Sequence, residues 1–177
     1  CALPIFFERD LELVNVGTSR EYLAEFKKEK KIKIILLAAS DIPLEIKKGN
    51  LDIGITGRDL VFEKILGWQK WMLEFKQLDF GHADLVIGVP QFWIDVNHLD
   101  DLEEIAFSLR LKHSRCLKIA TKYQNITREF LIDRQVTNFE IVESQGATEG
   151  AIVNGIADVV ADISSTGETL TQKIGRA

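Results

Sequence analysis

Residues 149–170 read EGAIVNGIADVVADISSTGETL, where two carboxylates bracket a short apolar run and a group of hydroxyls surrounds a glycine. Residues 157–163 have the pattern of a buried strand with Asp158 and Asp162 near its ends. Ser164, Ser165, Thr166 and Gly167 follow, before Glu168, Thr169 and Leu170 open a helical pattern. This order suits anion binding. Backbone N–H groups left free at a helix start, with the hydroxyls of Ser164, Ser165, Thr166 and Thr169, can ring a phosphate without a lysine, and Gly167 lets the backbone approach. Carboxylates just upstream suit a sugar phosphate, because a carboxylate accepts hydrogen bonds from two ribose hydroxyls or helps to hold Mg²⁺. Taken alone, the loop composition favours the plainer reading of a strand followed by a Ser/Thr helix cap.

The elements that must position these groups alternate between short apolar strands and helical patterns, which predicts an α/β fold with largely parallel sheets. Strands are expected over 33–37, 51–56, 83–89 (ended by Pro90), 116–120 and 139–142. Ser40 or Asp41 is expected to cap a helix that has Pro43 in its first turn and stops at Gly49, and Asp59 to cap the next. Leu99, Leu102, Ile105, Ala106 and Leu109 form a core-facing helical stripe, and residues 125–135 a further helix. A spacing is also repeated. Ile46, Gly49 and Asp52 precede a strand pattern and Thr56-Gly57, as Ile152, Gly155 and Asp158 precede a strand and Thr166-Gly167. Two such units suggest two similar lobes facing each other across a cleft, with ligands at the carboxyl ends of strands.

Composition sets outer bounds. A chain of 177 residues buries roughly 70% of its unfolded surface, enough for one large domain or two small lobes. The net charge of −5 gives no general surface for nucleic acid, so any phosphate must be held by a local site. Cys1 and Cys116 make neither a disulfide framework nor a metal spacing and are expected to be reduced. No apolar run approaches a membrane span and no signal peptide is visible, so a soluble cytoplasmic protein is expected. Asn125-Ile126-Thr127, formally a glycosylation acceptor, is expected to cap a helix instead. His82, His98 and His113 lack the context of a catalytic triad.

The segment 149–170 resembles the signature of ATP phosphoribosyltransferase, the first enzyme of histidine biosynthesis. Glu149, Gly155, Ala157, Val160, Asp162, Thr166-Gly167 and Thr169-Leu170 match it position by position. Residues 143–148 (ESQGAT), 41–61 (DIPLEIKKGNLDIGITGRDLV), 80–90 (FGHADLVIGVP) and 118–123 (KIATKY) are also similar to that family, in order. The resemblance implies a two-lobed, periplasmic-binding-protein-like (type II) fold. Lobe I would be 1–83 plus 168–177, and lobe II, 84–167, would carry the phosphoribosyl-binding loop. It implies transfer of a phosphoribosyl group from phosphoribosyl pyrophosphate to the adenine ring of ATP. Such a step needs alignment of two charged substrates, and Mg²⁺ to neutralise the departing pyrophosphate, rather than a protein nucleophile.

By that resemblance Ser164, Ser165, Thr166, Gly167 and Thr169 hold the 5′-phosphate, Asp158 or Asp162 faces the ribose hydroxyls, and Glu143, Gly146, Ala147, Thr148 and Glu149 line the same cleft. Arg20, Arg58 and Lys122 are candidates for the triphosphate and pyrophosphate, and Tyr22 or Tyr123 for stacking on adenine. No protein-held metal is expected; Mg²⁺ is expected on the substrate. Two departures stand out. After Ala2-Leu3-Pro4 the family continues through a Lys-Gly-Arg segment where this chain has Ile5-Phe6-Phe7-Glu8, and the chain stops at Ala177 soon after the signature. Either the protein has lost that substrate loop or its residues are missing from this sequence, and the C-terminal part of lobe I is expected to be incomplete. The resemblance is to the short form, which implies a homodimer within a hetero-oligomer that contains a regulatory subunit similar to histidyl-tRNA synthetase. The rival readings are a non-catalytic, two-lobed anion-binding module and an inactive regulatory paralogue.

Overall fold

The computed structural model describes residues 13–15, 23–27, 31–78, 80–144, 150–164 and 175–176. The chain divides into two compact units, Cys1–Leu73 and Glu74–Ala177. The division expected after residue 83 falls within the second.

The first unit has an antiparallel sheet of β1 (Leu13–Asn15), β2 (Leu23–Phe26) and β3 (Lys33–Ile35), in that order. Helix α1 (Ile42–Lys47) starts at Asp41 with Pro43 in its first turn, where a missing N–H costs nothing. Gly49, at φ +78°, ends it in the left-handed region that glycine enters without strain. Helix α2 (Arg58–Lys64) takes Gly57 as its N-cap, so Asp59, expected there, lies inside the first turn and faces the helix dipole instead. The expected strand over 51–56 is not a strand. The segment forms no strand pairing, and Gly54 lies so close to Ile42 and Ile46 of α1 that a side chain there would collide with them.

The second unit is a five-stranded sheet of order β6-β5-β7-β4-β8. Its strands are β4 (Asp84–Pro90), β5 (Leu117–Thr121), β6 (Phe139–Glu143), β7 (Val159–Ser164) and β8 (Gly175–Arg176). The helices are α3 (Leu99–His113), α4 (Gln124–Asp133) and α5 (Gly150–Val153). β5 runs parallel to both β6 and β7, whereas β4 is antiparallel to β7 and to β8. The sheet is therefore mixed rather than largely parallel. Near-continuous apolar runs mark buried strands whatever their direction, so composition did not separate β4 from its neighbours.

Alternation along the strands sorts the core into two faces. Leu117, Ile119, Val159 and Ala161 pack with Leu102 and Ala106 of α3 and Leu131 of α4, while Ala120, Val160 and Ala157 pack with Ala151 of α5. The expected stripe on α3 is thus the core-facing one. Asn125 lies within the first turn of α4, whose N-cap is Tyr123. Gly155, two residues beyond the end of α5, has φ +67°, with nothing within 4 Å of where a side chain would begin. Gly155→Ala is therefore expected to cost about 1–2 kcal/mol through backbone strain alone. Chemical denaturation that shows no loss of stability in the variant would contradict this.

Candidate active site

The direction of the two crossovers defines the site. From β5 the chain passes through α4 to β6, then returns through α5 across β5 to β7. Because these steps run in opposite directions, right-handed connections put α4 and α5 on opposite faces, as the two core groups show. The turns leaving β5 and β6 consequently part, and the gap between them is where ligands bind in open α/β sheets. A pocket of about 350 Å³ lies there, lined by Ala120, Val142, Glu143, Ser144, Ala151 and Asn154, among others.

Strand register brings the polar groups to this edge. Thr121 pairs with Glu143 at the carboxyl ends of β5 and β6, and Ala120 pairs with Val160 on β7. Two residues on, Lys122 meets Asp162, with Nζ 3.4 Å from Oδ1. Asp162 Oδ1 also accepts the Ile163 N–H at 2.8 Å. Lys122 lies 5.2 Å from the centre of the Tyr123 ring. Ser164 closes β7 on the same side of the sheet as Asp162 and pairs across from Asp84. Glu143, Lys122, Tyr123, Asp162 and Ser164 thus share one edge.

Asp158 does not join them. It stands before β7, roughly 13 Å of strand from Asp162, and is clamped by Arg115 through Nη1–Oδ2 (2.6 Å) and Nη2–Oδ1 (2.9 Å). The Lys118 N–H donates to the same carboxylate at 2.9 Å, and the Asp158 N–H returns a bond to the Lys118 carbonyl. Partial burial pushes this carboxyl up, but the Arg115 hydrogen bonds, the Lys118 amide and the nearby positive charge outweigh it and hold the group below the ordinary aspartate range. Arg115 is raised in turn, chiefly by its bond to Asp158. A depressed carboxyl contributes stability above its unfolded value, near 3.9, and loses it as pH falls through the lower folded value. Asp158→Asn is expected to cost about 2 kcal/mol or less at neutral pH, since the pair is partly solvated. That deficit should shrink below about pH 4, and a gap constant with pH in denaturation curves would contradict the clamp.

Arg58 opens α2 in the first unit, its guanidinium 5.4 Å from the Phe62 ring centre. Arg20, Gly146, Ala147, Thr148, Glu149, Ser165, Thr166, Gly167 and Thr169, and also Tyr22, lie outside the described residues. Among the described residues no three His, Cys, Asp or Glu side chains gather as metal ligands, and no helix is long and apolar enough to cross a membrane. Cys116 is a free, half-buried thiol. Sequence reasoning missed Arg115 and Thr121. Nothing in the sequence marks Arg115 as the partner of an acid 43 residues away.

The family model for ATP phosphoribosyltransferase (HisG) matches residues 38–174. This chain belongs to the ATP phosphoribosyltransferase family. An ATP phosphoribosyltransferase of Cereibacter sphaeroides is 46% identical over 165 residues, covering 93% of this chain and 70% of that protein. One from Mesorhizobium japonicum is 42% identical over 170 residues, covering 96% and 73%. A third, from a Bradyrhizobium species, is 42% identical over 166 residues and is spanned for only 51% of its length. Among solved structures, a chain of the ATP phosphoribosyl transferase (HisG:HisZ) complex from Thermotoga maritima matches with a TM-score of 0.66 at 20% identity, over 98% of this chain and 72% of that one. The α/β, periplasmic-binding-protein-like fold implied by the sequence is therefore the fold of this family member. Membership favours a pentosyl transferase of histidine biosynthesis over the non-catalytic module and the inactive paralogue. The family is in general magnesium-dependent.

Proposed function

We propose that the carboxyl edge of β5, β6 and β7 is where this chain holds phosphoribosyl pyrophosphate for transfer to ATP. The observation that supports this most is the pairing of Lys122 with Asp162 at the strand ends that also carry Glu143 and Ser164, beside the parting of the β5 and β6 turns. In this reading Ser164, Ser165, Thr166, Gly167 and Thr169 cradle the 5′-phosphate and Asp162 accepts from the ribose hydroxyls. Glu143 and residues 146–149 close the other side. Asp158 serves the fold through Arg115, which leaves Asp162 as the acid of the site.

The reaction forms a bond from the adenine ring nitrogen beside the exocyclic amine to the anomeric carbon, and breaks the bond from that carbon to pyrophosphate. Pyrophosphate leaves with the electron pair, and the adenine sheds a proton from its amine. Positive charge develops on the ribose as the bond lengthens, so a carboxylate fixed against the ring is favoured more in the transition state than before it. Lys122 counters the charge of the phosphates, with Arg20 and Arg58 as further cations for ATP and Tyr123 as a surface for its base. Mg²⁺ carried by the donor would supply charge neutralisation for the leaving pyrophosphate.

We further propose a regulatory partner similar to histidyl-tRNA synthetase, supported by the similar chain from the Thermotoga maritima complex, and action in the cytoplasm. Incubation with ATP, phosphoribosyl pyrophosphate and Mg²⁺, with and without that subunit, tests both parts. Phosphoribosyl-ATP should form, and faster with the partner. Binding of the donor without product under either condition would overturn the assignment.

A further inference from the structure

Thr121 ends β5 where the two exit turns part, and it is fully buried. Its hydroxyl and carbonyl oxygens are nevertheless engaged. The Oγ1 accepts the Tyr123 N–H at 3.0 Å, the Thr127 hydroxyl of α4 lies 3.4 Å from it, and the carbonyl accepts the Ser144 N–H at 3.0 Å. Thr127 is also fully buried. One residue therefore joins the turn after β5 to the first residue after β6, and Lys122 sits inside the turn that its hydroxyl closes.

We infer that Thr121 is a positioning residue for phosphoribosyl transfer, its hydroxyl fixing the turn that presents Lys122 to Asp162 and the bound donor. This rests on the reading that Lys122 meets the donor's phosphates. A hydroxyl that accepts from the N–H two residues on makes a tight local turn. The side chain of Lys122 is half exposed, at 51%, and touches Asp162 and the Tyr123 ring only at its ammonium, so the path of its backbone sets where that ammonium can reach. Valine would fill the same volume and keep the strand preference of a β-branched residue, but would leave the Tyr123 N–H without its acceptor.

A double-mutant cycle tests this: KM for each substrate, kcat and thermal unfolding are measured for Thr121→Val, Thr121→Ser, Lys122→Met and the Thr121→Val/Lys122→Met pair. Thr121→Val should raise KM for phosphoribosyl pyrophosphate about tenfold, the scale of one lost hydrogen bond, with kcat nearly unchanged. Thr121→Ser should restore wild-type values, and Thr121→Val should add little once Lys122 is methionine. An unchanged KM in Thr121→Val, or the same rise in the Lys122→Met background, overturns the inference. A wild-type KM in Lys122→Met removes the assignment of Lys122 to the donor, and the inference with it. Should Thr121→Val fail to fold, Thr121→Cys keeps a weak acceptor in similar volume: an intermediate KM supports the role and a wild-type KM overturns it.

Discussion

Asp162→Asn is expected to lower kcat by about 10²–10³, the scale of losing a charge aimed at a developing transition-state charge, while the fold stays intact. The asparagine is nearly the same size and its carbonyl oxygen still accepts the Ile163 N–H, so the strand end keeps its local bond. The negative charge beside the ribose is lost. A carboxylate also accepts from two vicinal hydroxyls at once, whereas an amide offers one oxygen and turns its NH₂ towards the other hydroxyl. Circular dichroism and thermal unfolding should match the wild type within a few degrees while turnover collapses. Asp158→Asn should do the reverse, because its carboxylate is committed to Arg115 and Lys118. Near-wild-type turnover in Asp162→Asn, or a deep loss in Asp158→Asn with stability unchanged, would exchange the roles given to the two acids.

The second large effect is expected in substrate affinity. Thr166→Val with Thr169→Val removes two hydroxyls from the proposed phosphate cradle with little change in volume. Each hydrogen bond to a charged group contributes about 1.5–3 kcal/mol, so KM for phosphoribosyl pyrophosphate should rise at least about 100-fold. The triphosphate of ATP does not rest on these hydroxyls in this account, and KM for ATP should change far less. Equal loss of affinity for both substrates would show that the loop does not distinguish them.

Where the chain chemistry is local, the sequence was a sufficient guide to the fold. The Leu99 to Leu109 stripe, the glycines at 49 and 155 and the apolar runs of β4 to β7 each produce their element through periodicity or backbone freedom that neighbours do not alter. Long-range geometry was not legible. The direction of β4 depends on which strand it pairs with, and the stretch before Gly57 fails to join a sheet although it has the residues of a strand. The two acids illustrate the same limit within the site. Asp158 and Asp162 are four positions apart at the two ends of one apolar run and look interchangeable in sequence. Only the fold places Arg115 against the first and Lys122 against the second. Thr121 was passed over because its hydroxyl has meaning only once β5, β6 and α4 are joined.

The most direct measurement of the central claim is a crystal structure of the protein with phosphoribosyl pyrophosphate and Mg²⁺ bound. The account predicts the 5′-phosphate on residues 164–169, the ribose hydroxyls within hydrogen-bond reach of Asp162, and Asp158 still paired with Arg115. A donor bound away from the carboxyl edge of β5, β6 and β7, or a ribose held by Asp158, would contradict it.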